Sequence, residues 1–273
     1  MVMRLDRSAL LQTDFDSGAL RPLAAVVRQF RQPGGYIGTI LRGEQPVGTF
    51  YLEVALEEGP VQVDVNLSAT AAGQTGNRPG VQGDCGCGKD VHAGASTGAH
   101  LRLRAEGYAL FHVTQGAGYA VHVGPAQAGE AGVWDSRELQ EGDLFAVTLL
   151  RPGRYRATET SSGGEAAIRV AYPRPGERRG KKDEATTVEA GGRQGIRPKR
   201  LELEAADAHA YRIAGPSRIR IELQEPDDGP RPVDGGPRYR WRRVGPQRPT
   251  GRPAPTGTPD GSQLPPSRRR RGG

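Results

Sequence analysis

The sequence is poor in the residues that build disulfide scaffolds and large aromatic cores. It has two cysteines and two tryptophans, and aromatic residues make up 5% of its 273 residues. Two cysteines cannot form a multi-disulfide framework. The longest strongly apolar stretches, 23–27 and 144–150, are too short to span a bilayer, and residues 1–14 contain no apolar run of signal-peptide length. We therefore expect an intracellular, cytoplasmic protein that is not associated with a membrane.

Glycine and proline, by contrast, are abundant, with 40 and 22 copies. Together with a hydrophobic content of 35%, they are typical of a turn-rich β-protein that carries unfolded segments. Alternating apolar residues predict a hairpin from 36–41 and 47–56, with Phe50, Leu52, Val54 and Leu56 facing inward, and a strand over 61–67. Further short strands are expected at 101–103, 109–113, 119–123, 143–150, 155–160 and 166–172. This close spacing predicts an all-β fold of the β-sandwich class.

Residues 14–32 permit two interpretations. Asp14 and Asp16 are able to cap a helix, and Leu20, Leu23 and Val27 follow at spacings of three to four residues. This pattern favours a short helix, with a strand as the alternative.

An internal similarity supports the strand. QPGGYIGTILRGEQPVGTFYLEV (32–54) and RPGRYRATETSSGGEAAIRVAYP (151–173) both run from Pro-Gly-x-Tyr through a strand and a polar turn into a second strand. The residues before them, LAAVVRQFR and LFAVTLLR, are loosely alike. A sandwich made of two related halves explains the likeness, and convergent turn chemistry explains it equally well.

Composition divides the chain into four regions. A β-sandwich region over 1–173 contains a long glycine-rich loop at 68–100, and a linker of mixed charge follows at 174–196. Three alternating segments within 197–225 predict a small β segment, marginal by itself, that docks on the main body or on a second copy of the chain. Residues 226–273 are rich in proline, glycine and arginine and are expected to be a disordered basic tail.

Part of residues 142–173 resembles a known class of sandwich. GDLFAVTLLRPGRYRATE (142–159) is similar to the late strands of cupredoxin-like β-sandwiches. In cupredoxins that bind copper, the next segment supplies a cysteine, a histidine and usually a methionine. Thr158, Glu159, Thr160 and Ser161 stand at that place here. The resemblance therefore implies a sandwich fold without a blue-copper centre.

The stretch GDCGCGKDVHAGASTGAH (83–100) contains both cysteines. A disulfide between residues two apart closes a strained ring, whereas two thiolates at this spacing can bind one Zn²⁺ or Cu(I) ion. The candidate metal ligands are Cys85, Cys87, His92 and His100. Their spacing matches no common zinc module, so a redox pair and a plain glycine-rich surface loop remain alternatives.

Other candidate side chains have weaker support. GASTG (94–98) fits the G-x-S-x-G nucleophile pattern, which requires a turn from a strand into a helix. No helical pattern follows it, so a hydrolase that uses Ser96 is the least favoured hypothesis. His112, His122 and His209 lie in strand patterns, where structural or surface roles are expected. His112 and His122 would meet if they shared a hairpin.

The positive charge is concentrated at the C-terminal end. Residues 229–273 contain eleven arginines against two aspartates, a charge of +9, which leaves −2 for residues 1–228 because the chain sums to +7. Guanidinium groups pair with phosphates and carboxylates, and the interleaved aromatic rings stack on bases. The candidate anion-binding residues are Arg238, Tyr239, Arg240, Trp241, Arg242, Arg243, Arg268, Arg269, Arg270 and Arg271.

These features predict a non-enzymatic structural, assembly or interaction protein. Its tail is expected to engage an anionic partner, either a nucleic acid or an acidic protein surface. The acidic body offers the tail a surface on another copy, so a homo-oligomer is a further expectation. The alternative function is a zinc- or copper-binding protein centred on Cys85 and Cys87, and the alternative for the tail is a purely solubilising role.

Overall fold

The computed structural model describes residues 11–73, 98–127, 133–172, 185–227 and 229. Strands dominate these ranges. In chain order they are β1 (Asp14–Asp16), β2 (Ala24–Phe30), β3 (Gly34–Arg42), β4 (Gln45–Ala55), β5 (Gln62–Asn66), β6 (Ala99–Arg104), β7 (Gly107–His112), β8 (Tyr119–Pro125), β9 (Trp134–Asp135), β10 (Leu144–Thr148), β11 (Gly153–Glu159), β12 (Glu165–Ala171), β13 (Thr186–Ala190), β14 (Arg200–Glu204), β15 (Ala208–Ile213) and β16 (Ile219–Pro226).

Helical structure is limited to two short elements in the described residues. They are the α-helix α1 (Leu67–Ala71) and a 3-10 turn (Gly192–Gln194). Within the same residues no helix has the length and apolarity needed to cross a membrane. The prediction of an all-β, sandwich-like fold is confirmed.

The strands form three sheets. The central sheet has six strands in the order β13-β15-β10-β2-β7-β5. A second sheet, named the first-half sheet because four of its five strands come from β1–β8, has the order β6-β4-β3-β8-β9. The third, named the second-half sheet because four of its five strands come from β9–β16, has the order β1-β16-β11-β12-β14. Buried apolar side chains from all three sheets form one core. Between the first-half and central sheets, the ring centroids of Phe50 and Phe111 lie 6.1 Å apart.

The alternation of side chains explains how the core is filled. In β12 the buried residues are Ala166, Ile168 and Val170, and every residue between them is exposed. Since successive side chains of a strand point to opposite faces, one face of β12 joins the core and the other meets solvent. This is the pattern on which the strand predictions depended.

The first and second parts of the chain repeat one structural plan. β3 and β11 both begin at a glycine with positive φ, 150° at Gly34 and 149° at Gly153. Two residues later, the Tyr36 hydroxyl donates to a backbone carbonyl four residues back at 2.9 Å, and the Tyr155 hydroxyl does the same at 2.7 Å. The two related halves, β1–β8 and β9–β16, therefore agree in backbone conformation and in side-chain hydrogen bonding.

The halves are joined through β2 and β10 in the central sheet. In this antiparallel pair, Val26 lies opposite Phe145, Ala25 opposite Ala146 and Val27 opposite Leu144. Gly34 and Gly153 are equivalent residues of the two halves, and the same difference in residue number makes Val26 equivalent to Phe145. These two equivalent residues lie opposite each other, so exchanging the halves leaves the pairing of β2 with β10 unchanged. The register is thus two-fold symmetric about the Val26–Phe145 pair.

Each half gives its first strand to the sheet of the other half. β1 pairs with β16, and β9 pairs with β8. A buried serine follows each exchanged strand and repeats one hydrogen bond. The Ser17 hydroxyl accepts from the backbone N–H of Ile219 at 3.0 Å, and the Ser136 hydroxyl accepts from that of Val121 at 2.9 Å.

The helix favoured for residues 14–32 is wrong. The segment contains β1, a turn and β2, and the turn includes Leu23 with a φ of 68°. β2 lies between β7 and β10, so its backbone groups find their hydrogen-bond partners in neighbouring strands. The helix-like spacing of leucines arose because a turn separates two short strands.

Two predicted loop boundaries also need correction. α1 begins at Leu67 and β6 begins at Ala99, so both ends of the predicted loop 68–100 are ordered. β13 and the 3-10 turn lie inside the predicted linker 174–196. β13 buries only Val188 and Ala190, which is too short a pattern to recognise in a polar sequence. The remainders, 74–97 and 173–184, lie outside the described residues.

The segment predicted as a small β unit over 197–225 supplies integral strands of two sheets. β14 pairs with β12, β15 pairs with β10, and β16 pairs with β11. Its three strands share hydrogen-bonded ladders with residues of the 1–173 region. The predicted tail, 226–273, falls almost entirely outside the described residues.

Candidate functional site

Most of the residues predicted to bind a metal or an anion lie outside the described residues. They are Cys85, Cys87, His92, the hydrolase candidate Ser96, and the tail positions 238–243 and 268–271. His100 is described: it lies on β6, is exposed, and its ring centroid is 4.5 Å from that of Tyr51. In the described ranges no three His, Cys, Asp or Glu side chains are grouped closely enough to hold a metal ion.

The three remaining histidines lie apart from one another. His112 is opposite Ala25 in the central sheet, whereas His122 is opposite Thr39 in the first-half sheet, so the two do not share a hairpin. His209 is fully buried, and neither of its ring nitrogens has a hydrogen-bond partner within the described part of the protein. Burial lowers the pKa of His209 to about 4.

A cleft between β2, β3, β8 and the segment around β9 and β10 contains a partly buried ion pair. The cleft has a volume of about 380 Å³. Its walls are formed by Arg28, Gln29, Phe30, Arg31, Gln32, Tyr36, Val123, Trp134, Glu141, Gly142 and Asp143.

The alternation of β2 places a charged side chain on the face that packs in the core. Ala24, Val26 and Phe30 are buried on this face, and Arg28 occupies the position between the last two. Its Nη1 donates to Oδ1 of Asp143 at 3.0 Å. The Arg28 side chain is 28% exposed and that of Asp143 is 1% exposed, so the ion pair closes the inner end of the cleft.

Asp143 is held by two further donors. The indole N–H of Trp134 and the backbone N–H of Gln140 both donate to Oδ2 at 2.8 Å. Burial raises the pKa of Asp143, and these donors together with Arg28 oppose that effect. The Arg28 guanidinium also lies 5.7 Å from the Trp134 ring centroid, within reach of a cation–π interaction.

The mouth of the cleft combines aromatic and polar groups. Phe30 and Tyr36 pack edge to face, with 5.4 Å between their ring centroids. The Arg31 side chain is 72% exposed; its Nε donates to Oε1 of Gln29 at 3.2 Å and lies 3.9 Å from Oε2 of the exposed Glu106. Glu141 is exposed and also lines the cleft. The cleft therefore offers cationic donors beside an apolar wall.

Sequence patterns alone did not identify Arg28, Trp134 or Asp143 as functional candidates. A signal was present in the internal repeat, because Arg28 of LAAVVRQFR aligns with Val147 of LFAVTLLR. An arginine at a core-facing position of one copy, where the other copy has valine, marks a polar site. Its partner Asp143 is 115 residues away, and only the β2–β10 pairing brings the two together.

A second buried carboxylate has a structural role. Glu159 ends β11 and accepts hydrogen bonds from Ser161 and Ser162 in the turn to β12, and from the buried Ser217. These donors outweigh the effect of burial and lower the pKa of Glu159 to about 2. With its oxygens engaged by the turn, this carboxylate stabilises the β11–β12 hairpin.

No family model, curated protein or solved structure matches the chain. Function is therefore inferred from the residues and from their surroundings.

Proposed function

We propose that this is a non-enzymatic interaction protein that acts inside the cell and engages an anionic partner through its arginine-rich C-terminal tail. The supporting observation is the unequal pairing of charge along the chain. Residues 229–273 of the tail have eleven arginines and two aspartates, so most of these cations have no carboxylate nearby in sequence. Nucleic acids and acidic protein surfaces are the partners that fit such a segment.

The arginines of the folded body are in a different situation, because many of them already pair with carboxylates. The pairs within 4.0 Å include Arg21–Asp14, Arg102–Glu58, Arg137–Asp135, Arg154–Glu225, Arg156–Glu165 and Arg218–Asp16. Exposed pairs of this kind contribute little stability, but they neutralise charge that would otherwise attract anions. Because residues 1–228 sum to −2, the net positive charge of the protein comes from residues 229–273.

The aromatic residues within the basic cluster favour single-stranded nucleic acid as the partner. Tyr239 and Trp241 alternate with arginines at 238–243. Stacking on an aromatic ring contributes about 1–3 kcal/mol per base, whereas an acidic protein surface gains nothing comparable from these rings.

Full-length variants test this proposal. Replacing Arg238, Arg240, Arg242 and Arg243 with glutamine should weaken binding to a fluorescently labelled uridine oligonucleotide. It should also reduce the slope of log affinity against log salt by up to about 3, since each phosphate contact on a single strand contributes roughly 0.7. The matched control replaces the same four arginines with lysine, which retains the charge and most of the salt slope. Unchanged affinity and slope in the glutamine variant would refute the proposal.

A second comparison separates the two kinds of partner. Replacing Tyr239 and Trp241 with leucine should weaken binding to the oligonucleotide and leave binding to polyglutamate unchanged. An equal effect on both ligands, or none on either, would identify an acidic protein surface, including that of another copy of this chain, as the partner. Sedimentation analysis of the glutamine variant shows whether the tail also supports a homo-oligomer.

A zinc or copper site at Cys85, Cys87, His92 and His100 is the second candidate function. The observation that favours it is the position of His100, which is exposed on β6 and receives no ring hydrogen bond from the described residues. Metal analysis of the full chain should find one equivalent of metal. Cys85→Ser/Cys87→Ser and His100→Ala should lose it, while His122→Ala should retain it. A metal-free wild type would eliminate this candidate.

A further inference from the structure

We infer that the cleft at Arg28 and Asp143 is a binding site for a small organic monoanion, a carboxylate attached to an apolar or aromatic body. This site is separate from the tail and does not depend on the function proposed for it. It follows from an asymmetry between the two halves, from the donors that the cleft leaves unused, and from the distribution of its charges.

The asymmetry shows that the fold does not require an ion pair at this place. The offset that relates Val26 to Phe145 also relates Arg28 to Val147 and Ala24 to Asp143. In the β2–β10 ladder, Val147 and Ala24 lie opposite each other. The paired strands β2 and β10 therefore have an apolar pair, Ala24 and Val147, at one end and an ion pair, Arg28 and Asp143, at the other.

An ion pair in such a position needs an explanation other than stability. Removing two charges from water is costly, and well-packed apolar residues are often as stabilising as a buried ion pair. The aromatic side chain beneath the pair differs as well: Trp134 stands at the position that Phe15 has in the other half, and its indole N–H binds Asp143. One end of the β2–β10 junction is therefore built as a polar site.

Arg28 has donors available for a ligand. A guanidinium has five N–H groups, and among the described residues Arg28 donates to Asp143 alone. Asp143 is itself held by Trp134 and the backbone of Gln140, so it fixes the orientation of Arg28 and remains occupied. A carboxylate entering the cleft meets a preoriented guanidinium, the group best suited to bind it through two parallel hydrogen bonds.

The remaining walls define the rest of the ligand. Phe30, Tyr36 and Val123 provide an apolar surface, and Arg31 adds a second cation at the mouth. Glu141, which also lines the cleft, disfavours ligands with several negative charges. A volume of about 380 Å³ suits a small molecule. Together these features select a single carboxylate on a compact apolar body.

Tryptophan fluorescence provides the test, because the chain has only Trp134 and Trp241. In full-length protein carrying Trp241→Phe, titration with benzoate should give a saturable change in Trp134 emission. Benzamide has the same shape without the charge, and phosphate is an anion without the ring, so both should bind at least about tenfold more weakly. The absence of saturation at millimolar benzoate, or equal binding of benzamide, would overturn the inference.

The deciding variant copies the other end of the junction. Arg28→Val/Asp143→Ala should unfold cooperatively as the parent does and lose benzoate binding by at least about tenfold. Benzoate binding that survives in this variant would overturn the inference. If the double variant does not fold, Arg31→Gln, which changes an exposed side chain, should still weaken benzoate several-fold without altering Trp134 emission of the free protein. Unchanged benzoate affinity in Arg31→Gln would likewise count against the site.

Discussion

At the scale of single residues, the two halves differ by a few polar side chains placed in a common framework. In the central sheet, Arg28 of β2 lies beside Ala109 of β7. The equivalent pair is Val147 of β10 beside His209 of β15. Each half thus combines one polar and one small or apolar residue at this level of the core. Arg28 has a charged partner there, whereas His209 is buried without a hydrogen bond from the described residues.

His209 makes the free energy of unfolding depend on pH in the mildly acidic range. Burial lowers its pKa to about 4 from an ordinary value of 6.5. Between these two values the unfolded chain binds a proton that the folded chain does not. The stability that depends on neutral His209 is therefore complete above about pH 6.5 and is lost as the pH falls toward 4, by about 2–3 kcal/mol.

Urea unfolding from pH 4.5 to 7.5 measures this effect. The His209→Leu variant should show a flatter dependence of unfolding free energy on pH than the wild type. Thr187→Ala, at an exposed position without a titrating group, is the control and should leave the dependence unchanged. A His209→Leu curve parallel to the wild-type curve would contradict the prediction.

The two buried serines carry a second prediction at this scale. Ser136→Ala removes the acceptor for the buried backbone N–H of Val121, and Ser17→Ala removes that for Ile219. Each substitution should lower the free energy of unfolding by about 1–3 kcal/mol, since an unsatisfied buried donor is costly. Thr187→Ala on an exposed position should change it by less than about 0.5 kcal/mol. Chemical denaturation of the three variants gives the comparison, and equal effects in all three would contradict it.

At the scale of elements, strands with clear alternation were predictable, whereas the short strands β1, β9 and β13 were not. The hairpin from 36–41 and 47–56 corresponds to β3 and β4, with Phe50, Leu52 and Val54 buried as expected. Leu56 was expected on the same face but is 74% exposed, because β4 ends at Ala55. β13 was missed because two buried side chains do not make a visible period. Local pattern identifies a strand only when the strand is long enough to repeat it.

The equivalent glycines at the starts of β3 and β11 allow a matched experiment. Both have φ near 150°, so alanine costs about 1–3 kcal/mol of backbone strain at either place. A Cβ on Gly34 would meet nothing within 4 Å, whereas one on Gly153 would lie 2.5 Å from the carbonyl oxygen of Glu225 in β16.

Gly153→Ala should therefore destabilise the protein by about 1–3 kcal/mol more than Gly34→Ala, since the β11–β16 ladder has to move apart. Thermal unfolding of the two variants measures the difference. Equal melting temperatures of the two variants would contradict the prediction, because they would show that β11 and β16 accommodate the added Cβ without loss of stability.

At the scale of the whole molecule, the halves are bound together by the exchange of β1 and β9 and by a shared central sheet. The β1–β16 and β2–β10 pairings join strands that are distant in sequence, whereas β9 pairs with the strand that directly precedes it. β1 pairs with β16 at the far end of the described chain, and Asp16 pairs with Arg218 at 2.7 Å. Sequence reasoning found the repeat but not the exchange, because two strands of two or three residues carry no periodic signal. It missed the Arg28–Asp143 cleft because only the pairing of β2 with β10 brings these two distant residues together.

This arrangement predicts that the body unfolds as one unit. Since β9 completes the first-half sheet and β1 completes the second-half sheet, loss of either half exposes the core of the other. In the Trp241→Phe background, the fluorescence of Trp134 and the far-ultraviolet circular dichroism should report the same urea midpoint. Two separate midpoints would show that the halves unfold independently.

The two-fold register about Val26 and Phe145 also bears on ancestry. A half-length chain with this register would pair the strand with a second copy of itself and form a homodimer, with the first strands swapped between subunits. In such a dimer every residue at the interface occurs twice, so both ends of the paired strands would have to be identical. Because one chain here contains both halves, one end of the paired strands can have Val147 and Ala24 while the other has Arg28 and Asp143.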